Sequence, residues 1–89
     1  MSIFLLSFEL NQKDPGSQLE IENNLTKFDC IIRISQTAWL IETELSTAQV
    51  LNLFEDYYDS DDNVFIFELT SNWEASASFD QMTWIESRL

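Results

Sequence analysis

Two hydrophobic periods alternate along 89 residues, and this switching limits the folds open to the chain more than any single motif does. Ser2 to Leu10 is a short run rich in Phe, Leu and Ile, which predicts a buried strand. Asn11 to Gly16 then collects turn formers, including the only Pro and the only Gly, so a reversal is expected there. Ser17 with Glu20 has capping-box spacing, and Ile21, Leu25 and Phe28 fall on one helical stripe. Cys30–Ile34 and Ala38–Thr43 read as two strands joined by the polar trio Ser35, Gln36 and Thr37. Ser46 with Gln49 opens a second helix carrying Val50, Leu53, Phe54 and Tyr57. Val64–Thr70 reads as a strand with apolar residues on both faces, the pattern of a strand in the middle of a covered sheet. Ser78 with Gln81 caps a short last helix carrying Met82, Ile85 and Leu89, with Phe79 and Trp84 extending or flanking its apolar face.

Strand, helix, strand, strand, helix, strand, helix is therefore the expected order, in a single domain over 1–89. Its first six elements close in one common way, as an α+β, ferredoxin-like β-α-β-β-α-β arrangement: a four-stranded antiparallel sheet with two helices on one face. Right-handed crossovers permit it, because each helix then links parallel strands with one strand between them. Such a sheet leaves its second face open. Trp39, Ile41, Phe65 and Phe67 are the residues expected to face outward there, so a homodimer or a partner protein, helped by the terminal helix, is expected to cover them.

Sixteen Asp and Glu against four Lys and Arg give a net charge of −12, spread along the chain. Direct binding to nucleic acid is not expected, since phosphate contacts need clustered cations. With no histidine, Ser–His and Cys–His catalysis and His-containing zinc sites are excluded. The lone Cys30 has no partner for an internal disulfide and reads as a small buried hydrophobe. Glu9 interrupts the first apolar run, which lacks a basic leader, so no signal peptide is expected. No run reaches the roughly 20 apolar residues of a membrane helix. A cytoplasmic protein that does not enter membranes is the expectation.

Three segments carry a family resemblance: Leu5-Leu6-Ser7-Phe8-Glu9-Leu10, Arg33-Ile34-Ser35-Gln36-Thr37-Ala38-Trp39-Leu40, and Phe65-Ile66-Phe67-Glu68-Leu69-Thr70 with Asn72-Trp73. Together they resemble the small ferredoxin-like proteins related to the second CRISPR-associated protein, the dimeric subunit of spacer integration, and most of all a short stand-alone branch labelled SinR-like. The resemblance implies work in prokaryotic defence or mobile-element biology. In CRISPR-associated members a Tyr-Asp pair ends the first strand, and that Asp from each subunit is placed to hold a divalent metal for phosphodiester cleavage. The matching positions here are Phe8 and Glu9. The extra methylene of Glu moves the carboxylate by more than about 1 Å, and octahedral Mg²⁺ tolerates little misplacement. A metal-dependent endonuclease with Glu9 on Mg²⁺ is thus the alternative, and a non-catalytic binding protein without a cofactor the first expectation.

The acidic residues make that expectation concrete. Glu42, Glu44, Glu55, Asp56, Asp59, Asp61 and Asp62 are the candidate interaction residues, expected at the ends of one strand and one helix. Counted as an EF-hand from Asp59, Val64 stands where the Gly belongs and Thr70 where the bidentate Glu belongs, so a polar connection is expected instead of a calcium loop. Carboxylates in such number steer a small protein toward basic clefts, including those of nucleic-acid-binding proteins, where they mimic nucleic acid. Trp39, Phe65, Phe67, Trp73 and Trp84 are expected in the core or a dimer interface, because base-stacking platforms come with a cationic groove.

Overall fold

The computed structural model describes residues 1–11 and 15–89. Strand β1 (Ser2–Glu9) is followed by helix α1 (Pro15–Leu25), strands β2 (Cys30–Ser35) and β3 (Ala38–Thr43), and helix α2 (Thr47–Leu53). A 3-10 turn (Glu55–Tyr57) leads to strand β4 (Asn63–Glu68), and helix α3 (Phe79–Glu86) ends the fold. All four strands pair antiparallel in one sheet of order β2-β3-β1-β4. The reversal expected at 11–16 falls largely on residues 12–14, outside the described residues, as does the side-chain cap expected from Ser17. Helix α1 begins at Pro15, earlier than the sequence pattern placed it. Proline suits a first helical position, where its missing N–H would have had no partner.

Alternation along β1 sorts the molecule into two sides. Phe4, Leu6 and Phe8 join Trp39 and Ile41 of β3, Ile21 and Leu25 of α1, Val50 of α2 and Phe54 in one buried cluster. Phe8 stands at its centre, edge-on to Trp39 at 6.1 Å and to Phe54 at 5.2 Å between ring centroids. Phe28 lies beyond the end of α1 yet packs on this cluster with Tyr57, Tyr58, Val64 and Ile66. Both capping boxes form: Ser46 with Gln49 at α2 and Ser78 with Gln81 at α3.

On the second side, Ile3 and Leu40 are buried together with Ile85 of α3. The chain after β4 crosses this face, and the Gln81 amide donates to the Arg33 carbonyl at 3.0 Å, fastening α3 to β2. Several expectations are corrected here. Trp39 and Ile41 face the helices and are buried, because Leu40 takes the outward register between them. Strand β4 is at the sheet edge, not in its middle. Leu53 and Phe79 are exposed, since the stripes they sit on run past the surface their helices cover. Cys30 is half-buried, being the first residue of an edge strand.

Candidate functional site

The seven candidate carboxylates divide between opposite ends of the sheet. Glu42 and Glu44 lie where β3 ends, beside the start of β1 in the pair Ser2–Thr43. Asp59, Asp61 and Asp62 precede Asn63, which pairs with Glu9 at the far end of β1. At about 3.3 Å per residue, the eight residues of β1 separate these ends by about 23 Å. Glu55 and Asp56 form the 3-10 turn on the way from α2 to the Asp59–Asp62 end.

The loop at that end is held by its own carboxylates. Asp62 accepts from the backbone N–H groups of Asn11 and Asp59, both at 2.9 Å, and Asp59 accepts from the Asp61 N–H at 2.9 Å. The Asn11 side-chain amide adds a bond to the Asp61 carbonyl at 2.6 Å. Asx turns of this kind satisfy backbone donors that no helix or strand reaches. Asp59 and Asp62 are thus structural as well as acidic, while the side chains of Glu55, Asp56 and Asp61 point into solvent.

Glu9 is exposed at the end of β1 and accepts from the Asn63 side chain at 3.4 Å. Among the described residues, no three Asp, Glu, Cys or His side chains come together in a way that could hold a metal ion. At the opposite end, Glu42 is half-buried and pairs with Arg88, Nε to Oε1 being 3.7 Å. Arg33 reaches Glu22 of α1 at 3.1 Å and lies over the Trp39 ring at 4.9 Å. Lys27 bonds to Asn24 rather than to a carboxylate. Both described arginines are therefore occupied within the fold, and the exposed carboxylates dominate the surface field.

The aromatic candidates part company as well. Trp39 is core; Trp84 is half-buried under the Arg88 guanidinium, which lies 4.2 Å from its ring. Trp73 lines an apolar groove of about 360 Å³ under the segment that returns across the second sheet face, with Leu5, Leu40, Leu69 and Ile85. Phe65 and Phe67 remain 50% and 55% exposed, stacked on one another at 6.0 Å with their planes 4° apart. Sequence reasoning missed that groove, since the small and polar residues after Trp73 carry no period that would bring them back onto the sheet.

Fold and surface together define a small α+β protein with, among the described residues, a four-stranded antiparallel sheet, three helices and acidic ends. No protein-family model matches the chain, and no curated protein matches it. No helix among the described residues is long and apolar enough to cross a membrane.

Proposed function

We propose that the chain is a ferredoxin-like β-α-β-β-α-β protein that acts without catalysis, by presenting carboxylates to the basic cleft of a nucleic-acid-binding protein. It stands in for nucleic acid there, in prokaryotic defence or mobile-element biology. The arrangement is supported by the sheet order β2-β3-β1-β4, in which α1 and α2 each link parallel strands separated by one other strand. The place in biology is supported by the sequence resemblance alone. One observation carries the binding role: among the described residues no carboxylate is buried, so the acidic excess lies on the outside, where a partner can meet it.

The experiment is a pull-down from the native host on the immobilised full chain, with mass spectrometry, salt elution and duplex-DNA competition. The expected partner binds nucleic acid by itself, is displaced by DNA, and is released between about 50 mM and about 200 mM salt. A triple variant, Glu55→Gln with Asp56→Asn and Asp61→Asn, leaves the loop-forming Asp59 and Asp62 in place and weakens capture about tenfold. Capture that persists at high salt, or that ignores both the DNA and the variant, overturns the reading.

A further inference from the structure

The two edges of the sheet are built differently. The β2 edge carries a register break between Arg33 and Ser35, a cation, and the bond from Gln81 of α3. Breaks, charges and covering elements are the usual means of stopping an edge from pairing. The β4 edge has no such break: its pairing with β1 is regular from Asn63 to Glu68, it contains no Pro, no Lys and no bulge, and its one charge, Glu68, stands at its end. The Leu69 N–H bonds to the Ile3 carbonyl at 2.8 Å, so the odd residues of β4 point their backbone groups at β1. By antiparallel alternation, Val64, Ile66 and Glu68 turn theirs outward. Beside this edge, Phe65 and Phe67 lie stacked and half-exposed on one face, and Thr47, Ala48 and Leu51 of α2 line a shallow groove with Val64 and Ile66 on the other.

We infer that this edge pairs with the same edge of a second copy of the chain, antiparallel about a two-fold axis at Ile66, joining two four-stranded sheets into one. The edge is self-complementary about Ile66, which selects a second copy against the repulsion between two chains of −12, and local charge selects the register. Centred on Ile66, Phe65 of one copy faces Phe67 of the other in both directions, so the rings form one continuous row, and Glu68 faces Val64. Centred instead on Phe65, Glu68 would face Asp62 of the other copy, with like charges opposed. The Ile66 register sets Phe65 and Phe67 in the closer, non-hydrogen-bonded positions, where aromatic pairs gain most. Since half of about 200 Å² per ring is a modest contact, the dimer is a reversible one.

This pairing does not depend on the acidic-surface reading, and salt separates the two. Each copy carries −12, so screening strengthens the dimer, whereas it weakens binding to a basic cleft. Sedimentation velocity over a wide concentration range at low and high salt is expected to give a monomer of 10.4 kDa in equilibrium with a species of twice that mass, and more of the latter at high salt. Phe65→Ser with Phe67→Ser, and separately Glu68→Pro, which removes an outward N–H without touching β1, each shift the equilibrium to monomer by at least tenfold; circular dichroism checks that both still fold. In a Cys30→Ser background, a mixture of Phe65→Cys and Phe67→Cys chains cross-links under a mild oxidant, while neither variant alone does. A 10.4 kDa mass at every concentration and salt overturns the inference. So does a dimer that Glu68→Pro leaves intact, which would be face-to-face packing, and so does cross-linking of Phe65→Cys to itself, which would be the other register.

Discussion

Phe8 has no solvent exposure and meets two other rings edge-on, one from β3 and one from the end of α2. Edge-to-face pairs add roughly 0.5–1.5 kcal/mol to what burial already contributes. Its neighbour Glu9 is exposed, because successive residues of a strand face opposite ways and the sheet ends there. Phe8→Ala removes a ring from the meeting point of both helices and the sheet. It is expected to cost about 3–5 kcal/mol, a large share of the total stability of a domain of this size. Phe79, 82% exposed at the first turn of α3, provides the control. Its replacement by Ala is expected to change stability by no more than about 0.5 kcal/mol. Urea unfolding of the two variants, followed by tryptophan fluorescence, checks both values; equal losses would mean that Phe8 is not a centre of the core.

At the scale of elements, what was legible in the sequence is what local geometry determines. Ser46 with Gln49 and Ser78 with Gln81 close their capping boxes, because a side chain and a backbone amide three residues apart meet whatever surrounds them. Strand runs were legible for the same reason, and the boundaries of β2 and β3 fall within a residue of the expected ones. Lateral placement was not. A stripe says which residues share a face, not what lies opposite, so Leu53, on the stripe of α2, and Phe79, extending or flanking that of α3, both lie toward solvent. An apolar strand at an edge also looks like one at a centre when a ring pair lines its open face, and this is why β4 misled. The acids were legible one by one, but their division between two ends of the sheet depends on pairing across more than fifty residues, as in the bond from Asn63 to Glu9. Helix α3 offers a test of how a non-local contact holds an element. It rests on Ile85 and on the Gln81 bond to Arg33. Ile85→Asp places a charge in the groove it lines with Leu5 and Leu40, so α3 is expected to lift while the main core stays intact. Hydrogen exchange should show α3 amides losing at least tenfold protection with those of Phe4, Leu6 and Ile41 nearly unchanged. Uniform loss across the sheet would mean that α3 is an inseparable part of the core.

For the whole molecule, size and charge decide together how the protein responds to salt. Its principal extents are 35 × 25 × 21 Å. At 0.01 M ionic strength the screening length is about 30 Å, so every charge interacts with nearly every other; at 1 M it is about 3 Å, and only touching pairs remain. Sixteen carboxylates against four cations make the long-range sum repulsive, and folding raises it by bringing the charges closer than in the open chain. Among the described residues, the ion pairs Arg33–Glu22 and Arg88–Glu42 act in the opposite sense. An exposed pair such as Arg33–Glu22 contributes about 0–1 kcal/mol and loses part of it on screening, and the half-buried Arg88–Glu42 pair is long at 3.7 Å. Repulsion is the larger effect, so the thermal midpoint is expected to rise with NaCl, by about 4–8 °C for each kcal/mol of repulsion removed. Melts repeated over a range of protein concentrations separate this term from the proposed dimer formation. MgCl₂ at matched ionic strength adds a further check: a surface that only screens gives equal midpoints in the two salts, whereas a loop that gathers a divalent ion gives a higher one in MgCl₂. A midpoint that stays flat or falls as NaCl increases would mean that the paired charges outweigh the unpaired ones. The field proposed to draw this protein toward a basic cleft would then be weaker than its net charge implies.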